Sequence, residues 1–305
     1  MFGMKTLFVI SDIHGHYYEM IDALNNVGFD EDNEKHLLIV CGDLFDRGEY
    51  SLEVYRYLKK LTDKKKAVVI RGNHDTMFIE YLKGSDNPFH YIHNGTDKTF
   101  ASFLERTQPF ESWCLLDKGY DMLGITQSAF TEWIGIVDKY MSETYSDLLD
   151  WLESLPYYYE TDNYIFTHGA IDGACEDWRI PETPMKFGYN KWNALTWNDG
   201  SFFDTTNEFG KINNTNKTVV IGHFGTKRLR ELFKYPLKGD ISDYDILERH
   251  DGKVIAIDST VVCSKKINVL MLEESRTQKY IYIPPKYMGD VKEKFKGVIG
   301  YEYQK

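Results

Sequence analysis

The chain has 305 residues, of which 42% are hydrophobic and 27% are charged, a composition typical of a globular protein with one large core or two modest ones. Its formal net charge of −11 argues against a general nucleic-acid-binding protein, because affinity for a phosphate backbone depends mostly on lysine and arginine. Its 8 prolines are too few for long disordered linkers.

One pattern recurs along the chain: a short apolar run, rich in β-branched residues, ends in a polar cluster. Continuous apolar runs of this length are typical of strands that are buried on both faces. Helical spacing of apolar residues predicts one helix around residues 20–27 and a second over Ser51–Leu61. The alternation predicts an α/β fold, in which active groups gather at the carboxyl ends of the strands. The five runs are Thr6–Ser11, Leu37–Cys41, Ala67–Ile70, Tyr164–Thr167 and Thr218–Ile221.

Two stretches depart from this pattern. Residues 76–155 are rich in aromatic side chains and lack the strand-then-polar unit, so we expect a mostly helical cap insertion within a single domain spanning 1–305. Its aromatic residues could form a substrate lid or an ordinary core, and helical spacing favours the core. In the tail, the apolar runs predict three strands that complete a second sheet: Lys253–Asp258, Ile267–Leu272 and Tyr280–Ile283.

The cysteines and the apolar segments predict a cytoplasmic protein without a membrane partner. The four cysteines are scattered and form no CxxC pair, so neither a zinc-cysteine site nor a redox pair is expected. The apolar stretch at the N-terminus is too short for a signal peptide. No segment approaches the roughly 20 apolar residues of a membrane helix.

The polar clusters behind the five runs contain the side chains that bind metals. Mixed oxygen and nitrogen ligands suit manganese, iron, zinc, cobalt or nickel. Two such ions about 3.5–4 Å apart can activate a water molecule and stabilise the entering and leaving oxygens of a phosphoryl transfer. The candidate ligands are Asp12 and His14 after the first run, Asp43 after the second, and Asn73, His168 and His223 after the other three.

Each fragment taken alone also has a plain structural explanation. An Asp-x-His sequence is usually a turn, a histidine at a strand end is often hydrogen-bonded for structural reasons, and Asp43 could cap the following helix. Five such fragments in order, each behind a predicted strand, are hard to explain as coincidence. The sequence therefore predicts that distant stretches of chain meet at one cleft.

The same clusters resemble the signature blocks of phosphoprotein phosphatases, within the calcineurin-like metallophosphoesterase superfamily. The nearest branch is the bacterial and phage type, which includes the phosphatase of bacteriophage lambda and the symmetrical dinucleoside tetraphosphatases. Weaker similarities at residues 94–99, 195–197 and 257–259 extend the resemblance over residues 6–262. The five main blocks are Asp12-Ile13-His14-Gly15, Gly42-Asp43-Leu44-Phe45-Asp46-Arg47-Gly48, Arg71-Gly72-Asn73-His74-Asp75, Thr167-His168-Gly169-Ala170 and Gly222-His223.

The resemblance implies two mixed β-sheets flanked by helices and a pair of divalent metal ions. Manganese is favoured, and iron, zinc, nickel and cobalt are alternatives. Asp43 would bridge the two ions, with Asp12 and His14 on the first and Asn73, His168 and His223 on the second. The resemblance also implies that His74, oriented by Asp46, protonates the leaving group, and that Arg47 and Arg71 bind the phosphate.

The implied reaction is hydrolysis of phosphomonoesters, as in protein serine/threonine phosphatases, by a hydroxide that bridges the two metal ions. The substrate would be a phosphorylated protein or a small phosphoester or nucleotide, and no nucleic acid is expected. An alternative is symmetrical hydrolysis of dinucleoside polyphosphates such as diadenosine tetraphosphate, because an aromatic cap could stack an adenine. A third possibility, a catalytically inactive binding module, is disfavoured because all six ligands and the acid are present.

Two departures from the family pattern bear on the substrate. Related bacterial enzymes often carry an arginine just after the tryptophan that corresponds to Trp197, whereas Asn198 and Asp199 follow it here. Gly225 stands where many nuclease and phosphodiesterase relatives have a second histidine, which favours the phosphatase branch. The missing arginine either has no substitute or is replaced by one of three others: Arg179, Arg228 or Arg230.

Overall fold

The structure is a computed structural model of the chain. It describes residues 5–84, 93–105, 127–171, 178–179, 195–198, 217–236, 242–249, 252–274 and 280–281. Parts of the predicted insertion, residues 85–92 and 106–126, lie outside these ranges, as do residues 282–283 of the last predicted strand. Among the described residues, no helix combines the length and the apolar character needed to cross a bilayer.

The first sheet has four strands in the order β3-β2-β1-β9. The first three are parallel, and Ile10 pairs with Val40 and Cys41 with Ile70, so these strands end at nearly the same level. Helix α1 (Tyr17–Asn26) connects β1 to β2, and α2 (Ser51–Asp63) connects β2 to β3. The strands are β1 (Lys5–Ile10), β2 (His36–Cys41), β3 (Ala67–Ile70) and β9 (Leu270–Glu274).

The position of β9 corrects one prediction. The run Ile267–Leu272 was expected in the second sheet, but the strand formed there pairs antiparallel with β1 in the first sheet, with Leu272 opposite Leu7. Strand β1 is apolar and buried, so its free edge requires a partner that covers its backbone groups. The tail provides that partner.

The second sheet has six strands in the order β10-β4-β5-β6-β8-β7. Strands β5, β6 and β8 are parallel, whereas β4, β7 and β10 pair antiparallel with their neighbours. The strands are β4 (Tyr158–Glu160), β5 (Tyr164–Thr167), β6 (Thr218–Ile221), β7 (Leu247–Arg249), β8 (Val254–Ala256) and β10 (Tyr280–Ile281).

A shared apolar layer joins the two sheets. Val9 and Ile39 of the first sheet and Phe166 and Val220 of the second belong to one cluster of buried side chains. The alternation of strands and helices therefore yields the predicted α/β fold of two mixed sheets with helices. The carboxyl ends of β1, β2, β3, β5 and β6 face a common region, described below.

The described parts of the predicted insertion consist mainly of helices joined by turns. Phe78, Phe100, Phe103 and Trp151 are all buried and pack in the same cluster as α2, so for these four residues the core interpretation is confirmed. A cap function for 76–155 stays a prediction. The helices are α3 (Asn73–Leu82), α4 (Thr96–Phe103), α5 (Gln127–Thr144) and α6 (Leu148–Ser154), followed later in the chain by α7 (Thr226–Phe233) and α8 (Val261–Ser264).

Candidate metal and phosphate site

The loops that follow the parallel strands have an unusual backbone. Asp12, His14, Asp43 and His223 have φ angles of 52°, 46°, 55° and 64°, in the left-handed region. For residues other than glycine this conformation costs about 1–3 kcal/mol each, so surrounding contacts must hold it. Two of those contacts join the first loop to the second, because the N–H groups of Asp12 and His14 donate to the carbonyl oxygens of Gly42 and Asp43.

His14 and Asp43 form the first half of the site. The Nδ1 atom of His14 lies 2.9 Å from the carbonyl oxygen of Phe45. A carbonyl only accepts, so Nδ1 carries the proton and Nε2 offers its lone pair on the other side of the ring. There Nε2 lies 3.6 Å from Oδ2 of Asp43. A cation placed between them would bind both the imidazole lone pair and the carboxylate oxygen.

His168 and Asn73 form the second half around the other oxygen of Asp43. The Nδ1 atom of His168 donates to the carbonyl oxygen of Cys41 at 2.8 Å. Its Nε2 atom lies 3.2 Å from Oδ1 of Asp43 and 2.8 Å from Oδ1 of Asn73. His223 lies beside them, with its ring centre 5.0 Å from that of His168.

The structure therefore brings the predicted ligands into two groups that share Asp43. Ligand atoms of Asp43, His168 and His223 lie within 4.8 Å of one another, and so do those of His14, Asp43 and His74. Asp12 joins the site beside His223, whose N–H donates to Asp12 Oδ2 at 2.9 Å. The set of three imidazoles, two carboxylates and one amide fits a pair of ions of the manganese, iron or zinc class.

The charges of the buried groups agree with cation binding. Burial would lower the pKa of His168, but the carboxylate of Asp43 raises it to about 10. Burial would also raise the pKa of Asp43, yet the imidazoles of His168, His74 and His14 hold it well below its usual range. The geometry thus favours positive charge between these side chains, at the place that the ligand set would offer a metal.

Glycines let the backbone approach the carboxylates closely. A Cβ atom on Gly72 would lie 2.2 Å from Oδ1 of Asp43, and one on Gly222 would lie 2.5 Å from Oδ2 of Asp12. Both contacts are shorter than any real Cβ approach, so only glycine fits at these two positions.

Asp75 has a role that the sequence did not reveal. Its carboxylate is fully buried and accepts hydrogen bonds from the N–H groups of Gly72, Asp43 and Leu44 at 2.7, 3.1 and 3.0 Å. It thereby fastens the loop after β2 to the start of α3. The position of Asp75 in the first turn of a helix could have predicted this role, because an acidic residue there accepts hydrogen bonds from free N–H groups.

His74 and Asp46 form a pair next to the ligands. The Nδ1 atom of His74 donates to Oδ2 of Asp46 at 2.6 Å, and Asp46 is completely buried. Burial would lower the pKa of His74, but the carboxylates of Asp43 and Asp46 raise it. Arg47 is exposed, and its Nη2 atom lies 3.0 Å from Nε2 of His74. A guanidinium only donates, so Nε2 accepts this hydrogen bond, and the positive charge of Arg47 lies beside the atom that has to take up a proton before it can act as the acid.

The guanidinium of Arg71 bonds to the end of α6 and to Tyr157. Its Nη2 atom donates to the carbonyl oxygens of Leu152 and Glu153 at 2.9 and 2.6 Å, and its Nη1 atom donates to the hydroxyl of Tyr157 at 3.0 Å. These carbonyls lie at the end of α6, where the last carbonyl oxygens of a helix lack helical partners and attract a guanidinium, although that of Leu152 also accepts the N–H of Leu155 at 3.2 Å. Of the two predicted phosphate ligands, Arg47 contacts His74, and binding of the phosphate by Arg71 stays a prediction.

The structure also separates the three candidates for the missing arginine. Arg179 forms two hydrogen bonds of 2.7 Å with the carboxylate of Glu160, and Arg230 is buried and donates to backbone carbonyls. Arg228 is exposed, and its guanidinium lies 4.2 Å above the ring of Phe224, the residue after His223. Of the three, Arg228 is therefore the one that is exposed and lies next to the candidate metal ligand His223.

The aromatic ring of Trp197 lies beside the site. Its ring centre lies 5.8 Å from that of His223 at an angle of 80°, and 49% of its surface is exposed. The sequence indicated this residue only through a weak family similarity. Its exposed face is available to a planar group of a substrate.

Parts of the chain are similar to curated nucleoside tetraphosphatases. The asymmetrical bis(5'-nucleosyl)-tetraphosphatase PrpE of Bacillus velezensis is 38% identical over 103 residues, which are 32% of this chain and 40% of that protein. The symmetrical bis(5'-nucleosyl)-tetraphosphatase of Buchnera aphidicola is 43% identical over 76 residues, or 25% and 26% of the two chains. The matched segments thus span less than half the length of these curated relatives.

A solved structure and a family model extend the similarity over most of the chain. The cold-active protein-tyrosine phosphatase of a psychrophilic Shewanella species has a TM-score of 0.53 and 21% identity, over 90% of this chain and 77% of that one, and shares the fold. The model of the calcineurin-like phosphoesterases matches residues 5–259. The chain therefore belongs to the calcineurin-like phosphoesterase family.

Proposed function

We propose that this chain hydrolyses phosphomonoesters, in the manner of protein serine/threonine phosphatases, with two divalent metal ions held by the six predicted ligands. The observation that carries the proposal is the position of Asp43, whose two oxygens face His14 on one side and His168 on the other. A carboxylate between two imidazole groups is suited to bridging two cations. Bound there, the ions supply an activated water molecule and stabilise the charge that develops on the phosphoryl oxygens.

The chain's own residues have separate roles in this proposal. Arg47 binds the phosphate with its planar guanidinium, which is exposed at the mouth of the site. His74 donates a proton from Nε2 to the leaving oxygen, while its Nδ1 atom remains bonded to Asp46. Asp46 fixes the orientation of the ring and stabilises its protonated form.

A second candidate function is hydrolysis of dinucleoside polyphosphates, which uses the same groups on an anhydride. It is supported by the names of the relatives that match 25–32% of this chain. It is also supported by Trp197, whose half-exposed ring beside His223 offers a surface on which a nucleobase could stack.

Substrate profiling of metal-free protein, reconstituted separately with manganese, zinc, iron and nickel, tests both functions. The panel contains a phosphoserine peptide, para-nitrophenyl phosphate and diadenosine tetraphosphate. We expect metal-dependent turnover of the two monoesters, highest with manganese. Turnover of diadenosine tetraphosphate alone would establish the second function, and Trp197→Leu should then raise KM for that substrate only. Metal-independent binding without turnover of any ester would refute both.

We propose a cytoplasmic location for this activity. Among the cysteines in the part of the chain that the structure describes, Cys41 is a buried free thiol and Cys263 an exposed one. Exposed unpaired thiols persist in a reducing compartment. Fractionation of cells that produce the protein, with a cytoplasmic and a secreted marker, tests this location.

A further inference from the structure

Thr99 of α4 makes two hydrogen bonds to Asp46, the partner of His74. Its Oγ1 atom accepts the N–H of Asp46 at 2.8 Å and lies 3.0 Å from Oδ1 of the same residue. A carboxylate oxygen only accepts, so the single hydroxyl proton of Thr99 is donated to Oδ1. This leaves Oδ2 of Asp46 for His74, at 2.6 Å. All three side chains are buried.

The backbone around Asp46 also needs this support. Asp46 and Arg47 are consecutive residues with φ angles of 70° and 67°. The left-handed conformation is strained for each residue with a Cβ atom, so surrounding contacts must hold it. The N–H of Asp46 is held by Thr99, and that of Arg47 donates to the carbonyl oxygen of Gly95 at 3.3 Å.

Gly95 permits the close approach of α4 to this turn. It has a φ angle of 78°, and a Cβ atom there would lie 2.8 Å from the backbone nitrogen of Arg47. The start of α4 therefore contacts both the turn that carries the acid's partner and the arginine that faces the phosphate position. These contacts come from the insertion, some fifty residues away in sequence.

We propose that Thr99 is a positioning residue: it orients the carboxylate of Asp46, and thereby the ring of His74, so that Nε2 points at the leaving oxygen. The proposal rests on the role of His74 given above and extends it to the insertion. It predicts that loss of the hydroxyl impairs proton donation while the metal ligands remain in place.

The alternative is that Thr99 only stabilises the packing of α4, and the chain provides a matched control for it. Ser102 is another buried hydroxyl on the same helix, and it accepts the N–H of Leu52 at 3.0 Å. It joins α4 to α2 but makes no hydrogen bond to Asp46 or His74 among the described contacts. Ser102→Ala thus removes a comparable packing contact without touching the acid pair.

The experiment compares two esters that differ in their need for an acid. Phenyl phosphate has a poor leaving group that requires protonation, whereas 2,4-dinitrophenyl phosphate departs without it. For Thr99→Val we expect kcat on phenyl phosphate to fall about 10- to 100-fold, with kcat on the dinitrophenyl ester and the bound metal content nearly unchanged. Thr99→Ser should restore the ratio of kcat on the two esters to that of the parent protein. Ser102→Ala should change kcat on both esters by the same factor. Thr99→Ala is a second variant with the same expected result.

His74→Asn separates the possible failures. His74→Asn should lower kcat on phenyl phosphate but not on the dinitrophenyl ester. If it does so while Thr99→Val and Thr99→Ala lower kcat on both esters equally, or on neither, Thr99 does not position the acid. If His74→Asn itself shows no leaving-group dependence, the assignment of His74 as the acid fails, and the proposal for Thr99 falls with it.

Discussion

The Nδ1 atom of His168 donates a hydrogen bond to the carbonyl oxygen of Cys41 across the boundary between the two sheets, at 2.8 Å. Cys41 ends β2 in the first sheet, and His168 follows β5 in the second. The orientation of one candidate ligand is therefore set by the backbone of the other sheet. The apolar layer that joins the sheets determines the geometry of the site as well as the stability of the fold.

Asp43→Asn should impair both ion positions. Each oxygen of Asp43 faces a different histidine, so loss of the negative charge weakens two groups of ligands at once. Metal analysis after dialysis should show a clear decrease from two ions per chain, with turnover lost in parallel. Asp22→Asn, on the exposed face of α1, is the control and should retain both ions. A variant with two tightly bound ions and full activity would contradict a bridging role.

His74→Asn should separate an acid from a ligand. His74 lies close enough to His14 and Asp43 to contribute a ligand atom, yet its Nδ1 atom is already bonded to Asp46. As an acid, its loss should lower turnover of poor leaving groups by about 10²–10⁴-fold while the metal content stays normal. His36→Asn, at the opposite end of β2, is the control. Loss of one ion in His74→Asn would identify His74 as a ligand instead.

Arg47 and Arg71 should respond differently to substitution by methionine. Arg71→Met removes a donor from the carbonyl oxygens of Glu153 and Leu152. That of Leu152 keeps a second donor, the N–H of Leu155, so the free energy of unfolding should fall by about 1–3 kcal/mol. Arg47 is exposed, so Arg47→Met should leave stability nearly unchanged and raise KM for phosphomonoesters. Urea unfolding and steady-state kinetics on both variants measure the two effects. A raised KM with normal stability for Arg71→Met would place Arg71 at the phosphate.

Asp97→Asn should stabilise the protein at neutral pH. Burial raises the pKa of Asp97 to about 6, and its Oδ1 atom accepts no hydrogen bond from the residues that the structure describes. The folded chain therefore binds this proton more tightly than the unfolded chain. Stability is favoured at low pH and falls as the pH rises from about 4 to about 6. The uncharged side chain of the variant avoids this decrease in the free energy of unfolding, which amounts to about 1–3 kcal/mol at pH 7.

Urea unfolding at pH 7.5 and at pH 4.5 measures this difference. The variant should be more stable than the parent at pH 7.5, and the gap should narrow strongly at pH 4.5. Asp32→Asn, on an exposed loop, should show no such pH-dependent gain. An Asp97 variant less stable at both pH values would mean that the charged carboxylate is needed at the start of α4.

The local pattern of the sequence was sufficient for the strands and for the convergence of the ligands. The runs Ala67–Ile70, Tyr164–Thr167 and Thr218–Ile221 are strands with the predicted bounds, because strands buried on both faces require continuous apolar residues. The partner of β9 could not be derived this way. Its apolar run is compatible with either sheet, and only the free edge of β1, more than 250 residues away, decides the pairing.

The roles of individual polar residues were harder to predict when their partners lie far along the chain. Thr99 contacts Asp46 across 53 positions, and the sequence marked it only through a weak similarity. For Arg71, the block was identified from the sequence, whereas the bonds of its guanidinium to the end of α6 were not predicted. A motif specifies which residue is present, whereas the neighbours that compete for its hydrogen bonds are set by tertiary packing.

The left-handed backbone at Asp12, His14, Asp43, Asp46, Arg47 and His223 has a consequence for protein engineering. Glycine or asparagine would relax the chain at each of these positions, since both tolerate such angles better than other residues. A selection for thermal stability alone would therefore favour replacements at these positions and yield variants that are more stable but inactive. Attempts to make this enzyme more robust should protect those six codons from mutagenesis and direct changes to the surfaces of the helices.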